Sequence, residues 1–371
     1  MTQTGAGTGG TQAAGARAEA PARDARAEEL RDGAEESRSG PAPTVRVLAL
    51  AGIVAVLVLA ALASVAFGAR TVGFDDILSA LGGAQDTVAQ AAVAKRIPRT
   101  LLALLVGAAL GTAGAVLQGV TRNPLADPTI FGINNGAALA VVVGITFFGL
   151  SSPHGYIWVA LTGAALTGVL VYTIGSMGGG GSTPLKLALA GAATTIALSS
   201  LSSAIILPRA QVMDMFRFWE IGGVGGGTYE SLARVVPFLL VGFVLSVLSA
   251  RGLNSLALGD EMARGLGVSV GRTRILASAG AVILCGASTA VAGPIGFVGL
   301  VVPHVCRLLF GPDHRWLLPL SALAGAVLLT VADVLGRVVT RPEELEVGIV
   351  TAFVGAPVFI LIVRRMKVRE L

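Results

Sequence analysis

The sequence predicts an all-α polytopic membrane protein with about ten transmembrane helices. Hydrophobic residues make up 54% of the 371 residues and charged residues only 13%, whereas roughly a quarter of the residues in soluble domains are charged. The mean hydropathy is +0.78. The apolar residues are concentrated in ten stretches, most of them long enough to cross a hydrocarbon core of about 30 Å.

These stretches divide the chain into a tail and a membrane domain. Residues 1–44 are rich in Ala, Gly, Glu and Arg, which predicts a disordered cytoplasmic tail, and residues 45–371 then form the ten-span domain. The predicted spans are 45–67, 99–120, 129–150, 156–177, 185–207, 232–250, 274–292, 297–310, 316–338 and 347–363. The eighth is short, so it is either a full crossing or a half-helix.

The topology follows from the number of spans and the basic residues. An even number places both termini on one side, and the basic run at residues 364–369 favours the cytoplasm for that side. Two five-span halves would then be inverted relative to each other.

The second predicted span carries the clearest packing signal. Residues 100–120 contain no charged side chain, so this segment can cross the membrane. Small residues recur within it and allow neighbouring backbones to approach closely, as in a helix bundle. They are Gly107, Ala108, Gly111, Gly114 and Ala115.

Several motifs resemble those of one transporter family. They are Pro98-Arg99, Gln118, residues 122–128 (RNPLADP), Gly132, residues 292–304 (AGPIGFVGLVVPH), residues 313–315 (DHR), Ala332-Asp333, Arg337, residues 347–352 and residues 355–357. Together they resemble the permease subunits of bacterial ABC importers for ferric siderophores, haem and cobalamin, from about Val45 to Arg365. One departure is Glu346, which stands where the family usually has proline.

The resemblance implies a cobalamin-permease-like fold and a set of partners. These are a second permease, identical or similar, two ATPase subunits, an extracytoplasmic substrate-binding protein and the lipid of the bacterial cytoplasmic membrane. The permease itself is then not an enzyme and holds no cofactor, and ATP and Mg bind the partner ATPase. The absence of a G-x-x-x-x-G-K-[ST] motif agrees with this division of labour. Ferric siderophore is the preferred substrate, with cobalamin and haem as alternatives.

The longest inner connection, residues 251–274, is the predicted coupling loop. Leu256, Leu258, Met262 and Leu266 suggest a short amphipathic helix broken by glycines, although a helix lying on the membrane surface would show the same pattern. The resemblance implies contact with the ATPase through Leu258, Gly259, Asp260, Glu261, Ala263, Arg264, Leu266 and Gly267.

Positive residues at the predicted outer ends need an explanation, because positive charge is disfavoured in translocated loops. They are Lys95, Arg96, Arg99, Arg337 and Arg341. They could be membrane anchors or form local ion pairs, since Asp333 and Arg337 lie four residues apart. The resemblance instead implies that Arg96, Arg99 and Arg337 dock carboxylates of the binding protein.

Other candidate sites give weaker signals. His154, His304 and His314 show no metal-ligand spacing, Pro303-His304 suggests a helix end, and Cys285 and Cys306 are predicted to be packing residues. Residues 178–181 (GGGG) predict a flexible inner loop, and the next residues, Thr183, Pro184 and Leu185, are candidates for a cytoplasmic gate.

Three other function classes fit the sequence less well. A pure scaffold or receptor subunit would not need the glycine-bounded inner loop. An ion-coupled secondary transporter would carry ionisable residues near mid-span, and only Asp333 is a convincing candidate. Nucleic-acid binding is disfavoured although the pI is about 9.8, because the basic residues are scattered and aromatic residues are few.

Overall fold

The computed structural model describes residues 43–128, 132–150, 153–177 and 183–365. The chain divides into two units, residues 1–48 and residues 49–371. The second unit contains the helix bundle. The predicted tail lies outside the described residues except for its last two positions.

The described residues form thirteen α-helices. They are α1 (Pro43–Ala66), α2 (Phe74–Leu81), α3 (Val88–Thr121), α4 (Ile133–Phe148), α5 (Pro153–Ser176), α6 (Pro184–Ile206), α7 (Ala210–Glu220), α8 (Tyr229–Ala257), α9 (Asp260–Gly265), α10 (Val270–Ala292), α11 (Val298–Phe310), α12 (His314–Val339) and α13 (Val347–Arg365).

The ten apolar helices correspond to the ten predicted spans, which confirms the predicted fold class. Seven are long and apolar enough to cross a membrane, namely α1, α3, α5, α6, α8, α10 and α12, and α4, α11 and α13 are shorter. The sequence analysis did not anticipate two further short helices, α2 and α7.

Helix α3 forms the centre of the bundle and packs against α12, α10, α11 and α8. It begins at Val88, well before the predicted Arg99, and Thr87 and Gln90 form a capping box there. Pro98 lies inside it. The polar segment before the predicted span is therefore helical as well.

Small residues bring α3 and α12 into backbone contact, as the sequence predicted. A Cβ atom on Gly107 would collide with the carbonyl oxygen of Gly325, and one on Gly111 would collide with that of Ser321. The contact thus has the small-xxx-small character of tightly packed membrane helices.

Helix α11, the eighth predicted span, is short. Its 13 residues extend over about 20 Å, which is shorter than a hydrocarbon core. The suggestion of a helix end at Pro303-His304 is wrong, because both residues lie inside α11.

A side chain of α3 makes this proline tolerable. Pro303 has no N–H to donate to the Gly299 carbonyl one turn earlier. The Gln118 amide Nε2 lies 3.4 Å from that oxygen and 3.2 Å from the oxygen of Leu300. Gln118 therefore donates to the carbonyl that the proline leaves without a helical partner.

Candidate functional site

The predicted coupling loop is mostly helical, and its short helix is smaller than predicted. Helix α8 extends to Ala257, so Leu256 belongs to α8 and is buried. Helix α9 then contains only residues 260–265. Leu256 is therefore not part of the amphipathic segment, because α8 continues through the polar residues at which the span was expected to end.

Helix α9 and the residues on either side of it present exposed apolar side chains. Leu258, Met262 and Leu266 are 64%, 58% and 60% exposed, whereas Ala263 is fully buried. Gly259 and Gly267 have φ of 108° and 78°, values that residues with a Cβ rarely adopt. Exposed apolar side chains next to the exposed Glu261 and Arg264 are typical of a protein–protein contact. We call Leu258, Glu261, Met262, Arg264 and Leu266 the coupling surface.

Asp260 fixes α9 to the membrane bundle. Its Oδ1 atom accepts a hydrogen bond of 3.0 Å from Nη2 of Arg274, the buried arginine of α10. Arg122, which follows α3, also pairs with Asp260. Of the residues predicted for coupling, Asp260 thus faces the protein and connects α9 to Arg274 of α10 and to Arg122 at the end of α3.

A second polar cluster joins α8 to α12 on the same side. Nδ2 of Asn254 donates to Asp313 Oδ1 at 2.6 Å, and the backbone N–H of His314 donates to Asn254 Oδ1 at 2.8 Å. Asp313 also accepts from the backbone N–H of Arg315, which is the usual role of aspartate before a helix. Sequence reasoning missed this cluster. The capping signal at Asp313 was visible, but its partner Asn254 was not.

The gate candidates lie at the start of α6. Thr183 caps this helix, with its side chain accepting from the backbone N–H of Lys186 at 3.3 Å. Pro184 is the first helical residue, and Leu185 is exposed. The glycine run at 178–181 lies outside the described residues.

On the opposite side, Asp333 is the centre of a buried charge cluster. Arg99 donates to its Oδ1 atom through Nε at 3.0 Å and Nη2 at 2.8 Å. Nη2 of Arg337 lies 2.8 Å from Oδ2, without the alignment of a hydrogen bond. Nη1 of Arg99 also pairs with the exposed Glu344 at 2.5 Å. The ion pair that the spacing of Asp333 and Arg337 allowed as an alternative to docking is present.

The other two predicted docking arginines are tied to the end of α1. Arg96 donates to the carbonyl oxygens of Ala66 at 2.8 Å and Arg70 at 2.5 Å. Arg337 is only 1% exposed. Its Nη1 atom donates to the carbonyl oxygen of Ser64 at 3.0 Å, and its Nη2 atom donates to the Ser64 hydroxyl oxygen at 2.7 Å. Such bonds satisfy carbonyls that a helix end leaves unpaired.

This burial changes the docking prediction. The guanidinium groups of Arg96 and Arg337 donate to acceptors within this chain. This argues against direct contact of either side chain with a partner protein. Arg99 is partly exposed, with 11% of its side chain accessible. Lys95, four residues before Arg99, and Arg341, four residues after Arg337, are exposed. Arg341 also donates through Nε to the carbonyl oxygen of Gly68 at 2.9 Å. Sequence reasoning could not see that the acceptors are backbone carbonyls of α1.

A cleft of about 230 Å³ lies between α4, α6 and α7. Ser199, Ser202 and Ser203 line it together with Asn135 and Glu220. Burial raises the pKa of Glu220 above its ordinary value. The cleft is mixed in character, because Ile206, Leu207, Met213 and Phe216 line it beside these hydroxyl, amide and carboxylate groups.

With this geometry in place, comparison with known proteins identifies the family. Residues 56–365 match the FecCD transport family. The chain belongs to that family. It is 42% identical over 328 residues to the ferric enterobactin transport system permease protein FepD of Escherichia coli (strain K12), which covers 88% of this chain and 98% of that protein. It is 39% identical over 324 residues to the iron(3+)-hydroxamate import system permease protein FhuB of Bacillus subtilis (strain 168), covering 86% and 84%.

A solved structure agrees with the fold. A metal-chelate type ABC transporter in an inward-facing conformation matches 86% of this chain and 100% of its own, at 30% sequence identity and a TM-score of 0.75. The FecCD-family chain is thus a multi-pass membrane permease, as predicted.

Glu346 is the residue where this permease departs from the expected family pattern. It precedes α13, and its carbonyl accepts from the backbone N–H of Ile349 at 3.0 Å. Its carboxylate lies against Gly223 and lines a cleft with Trp219 and Gly293. Burial raises the pKa of Glu346. A side chain therefore fills space that proline would leave open, while α13 still begins normally.

Cys285, Cys306 and His314 are buried within the protein. Cys285 and Cys306 are buried free thiols, as expected for packing residues, and Cys285 Sγ donates to Asn134 Oδ1 at 3.4 Å. His314 Nδ1 lies 2.8 Å from Asn254 Oδ1. Among the residues that the structure describes, no three His, Cys, Asp or Glu side chains are grouped as metal ligands. The side chain of His154 lies outside that set.

Proposed function

We propose that this chain is the membrane-spanning subunit of an ABC importer that carries a ferric siderophore across the bacterial cytoplasmic membrane. The observation that carries the proposal is the exposed coupling surface on a glycine-flanked helix, in a chain similar over nearly its whole length to a ferric enterobactin permease. ATP and Mg would bind separate ATPase subunits, and both termini of this chain would be cytoplasmic.

The coupling surface would seat in the ATPase subunit. Leu258, Met262 and Leu266 supply apolar contact area, and Glu261 and Arg264 supply charges that fix its orientation. The glycines at 259 and 267 let α9 turn as a short rigid piece. Asp260, bonded to Arg274 and paired with Arg122, would pass that movement to α10 and α3.

The opposite side would receive the substrate-binding protein. The exposed Lys95 and Arg341, together with the partly exposed Arg99, give a basic rim that acidic groups of a binding protein can meet. Arg96 and Arg337 would act indirectly, because they hold the end of α1 in place beneath this rim.

The substrate would be held weakly in passage. The serine-rich cleft between α4, α6 and α7 offers many hydrogen-bonding groups. Such a lining suits a bulky chelate that arrives with its metal already coordinated. We infer that a second permease, identical or similar, completes the pathway, and that residues 183–185 gate its cytoplasmic end.

An ion-coupled secondary transporter is disfavoured by the surroundings of Asp333. A proton- or ion-carrying carboxylate must exchange its partner during transport. Asp333 is fully buried between Arg99 and Arg337, so it has a structural role in the outer bundle.

The substrate can be tested through the partner binding protein. That protein is purified and titrated with ferric siderophores, haem and cobalamin while its tryptophan fluorescence is followed. Saturable quenching by a ferric siderophore, and by neither of the other two, is expected. Saturable binding of haem or cobalamin alone would replace the proposed substrate.

A further inference from the structure

Helices α5 and α10 enclose an apolar groove that the transport pathway does not use. It has a volume of about 280 Å³. It is lined by Ala165, Gly168, Val169, Tyr172 and Thr173 of α5 and by Ile275, Ser278, Ala279, Val282 and Ile283 of α10. Val169 and Ile275 are exposed at its rim. Both helices are long and apolar enough to cross a membrane, so the groove lies at the depth of the hydrocarbon core.

The floor of the groove contains a polar group without a partner. Ser278 is 7% exposed, and its hydroxyl has no hydrogen bond within the described part of the chain. Serine in a helix commonly satisfies its hydroxyl on the preceding turn. A buried hydroxyl without a partner is costly in an apolar medium, so a bound molecule with an acceptor would relieve that cost.

The end of the groove next to the coupling loop is basic. Arg272 lies three residues before Ile275, so it continues the groove-lining face of α10 by one turn. Arg272 is exposed, and it forms no ion pair with any residue the structure describes. Arg264 and Arg274 are near it in the chain, and Asp260, the nearby acidic partner, is already paired with Arg274 and Arg122.

We propose that this groove is a binding site for one anionic phospholipid. An acyl chain lies between α5 and α10, an ester oxygen accepts from the Ser278 hydroxyl, and the phosphate group meets Arg272. Basic pockets between membrane helices are known to select anionic headgroups. A second copy of this chain is a poorer occupant, because a two-fold contact here would bring two Arg272 side chains to the same end of the interface.

The test uses the purified full-length chain, delipidated in detergent and titrated with phosphatidylglycerol or phosphatidylcholine in native mass spectrometry. We expect one tightly held phosphatidylglycerol and at least fivefold weaker binding of phosphatidylcholine. Arg272→Glu should abolish that preference. Ala279→Phe, which fills the groove, should weaken binding of both lipids about tenfold.

Matched controls change the same properties elsewhere. Arg251→Glu reverses an exposed charge on α8, and Val247→Phe adds bulk to an exposed position of α8. Both should bind lipid as the unmodified chain does. If Ala279→Phe fails to fold, Val169→Trp at the exposed rim replaces it.

Two results would overturn the proposal. One is equal binding of both lipids by the unmodified chain and by all variants. The other is an efficient disulfide between two chains carrying Val169→Cys in membranes, because a second copy would then cover the groove.

Discussion

Arg99 and Asp333 join two helices across 234 residues of sequence, with Nε and Nη2 of Arg99 at 3.0 and 2.8 Å from the same carboxylate oxygen. Arg337 lies against the other oxygen at 2.8 Å. Asp333 therefore pairs with two buried or partly buried guanidinium groups of α3 and α12, and Glu344 gives Arg99 a second carboxylate partner.

Replacement of Asp333 by alanine should strongly destabilise the permease. Two positive groups would then face each other in a buried site, and loss of one partner from a buried ion pair costs about 3–5 kcal/mol. Thermal unfolding in detergent measures the effect. The control is Glu230→Ala, which removes the exposed pair with Arg234 and should cost at most about 1 kcal/mol. Similar unfolding temperatures for the two variants would contradict the structural role of Asp333.

The basic residues proposed to lie near the binding protein should separate into two classes. Arg96→Met and Arg337→Met remove bonds to α1, so the yield of folded protein should fall, while the folded fraction keeps its affinity for the binding protein. Lys95→Glu should leave folding intact and weaken binding, most clearly at low salt, because exposed charges are screened by ions. Affinity can be measured by surface plasmon resonance at several salt concentrations. If Arg96→Met and Arg337→Met instead weakened affinity without lowering the yield of folded protein, these arginines would contact the binding protein directly.

Charge reversal on the coupling surface should uncouple the transporter. Glu261→Arg and Arg264→Glu change exposed side chains, so membrane insertion should be normal while stimulation of the ATPase falls several-fold. Arg315→Glu, at an exposed position outside α9, is the matched control. Normal ATPase stimulation in both α9 variants would remove the coupling role.

Gln118 should matter only because Pro303 is present. Gln118→Leu leaves the carbonyls of Gly299 and Leu300 without their side-chain donor, and an unsatisfied buried polar group costs about 1–3 kcal/mol. Pro303→Ala restores an N–H that can reach the Gly299 carbonyl. In a double-mutant cycle, Gln118→Leu should therefore cost less in the Pro303→Ala background. Additive changes in unfolding free energy would mean that Gln118 acts independently of the proline.

The membrane fold was predictable because long apolar stretches leave few alternatives to helices. The uncharged run at residues 100–120 and its glycines correctly gave a packed span of a helix bundle. Helix ends were harder, since α3 and α8 continue into polar segments where hydropathy no longer marks them.

Side-chain partners were the least predictable part of the site. The four-residue spacing of Asp333 and Arg337 allowed an ion pair, because residues four apart lie on the same face of a helix. No local sequence pattern predicts the hydrogen bonds from Arg96 and Arg337 to the end of α1, or the hydrogen bond from Asn254 to Asp313. Those contacts depend on how distant helices pack.

The central claim is tested most directly by uptake of a radiolabelled ferric siderophore into proteoliposomes. They contain this permease and its ATPase, with the loaded binding protein outside and ATP inside. Uptake is expected only when ATP and binding protein are both present, with little uptake by the Glu261→Arg variant. Uptake that proceeds without ATP and follows an imposed proton or sodium gradient would contradict the account.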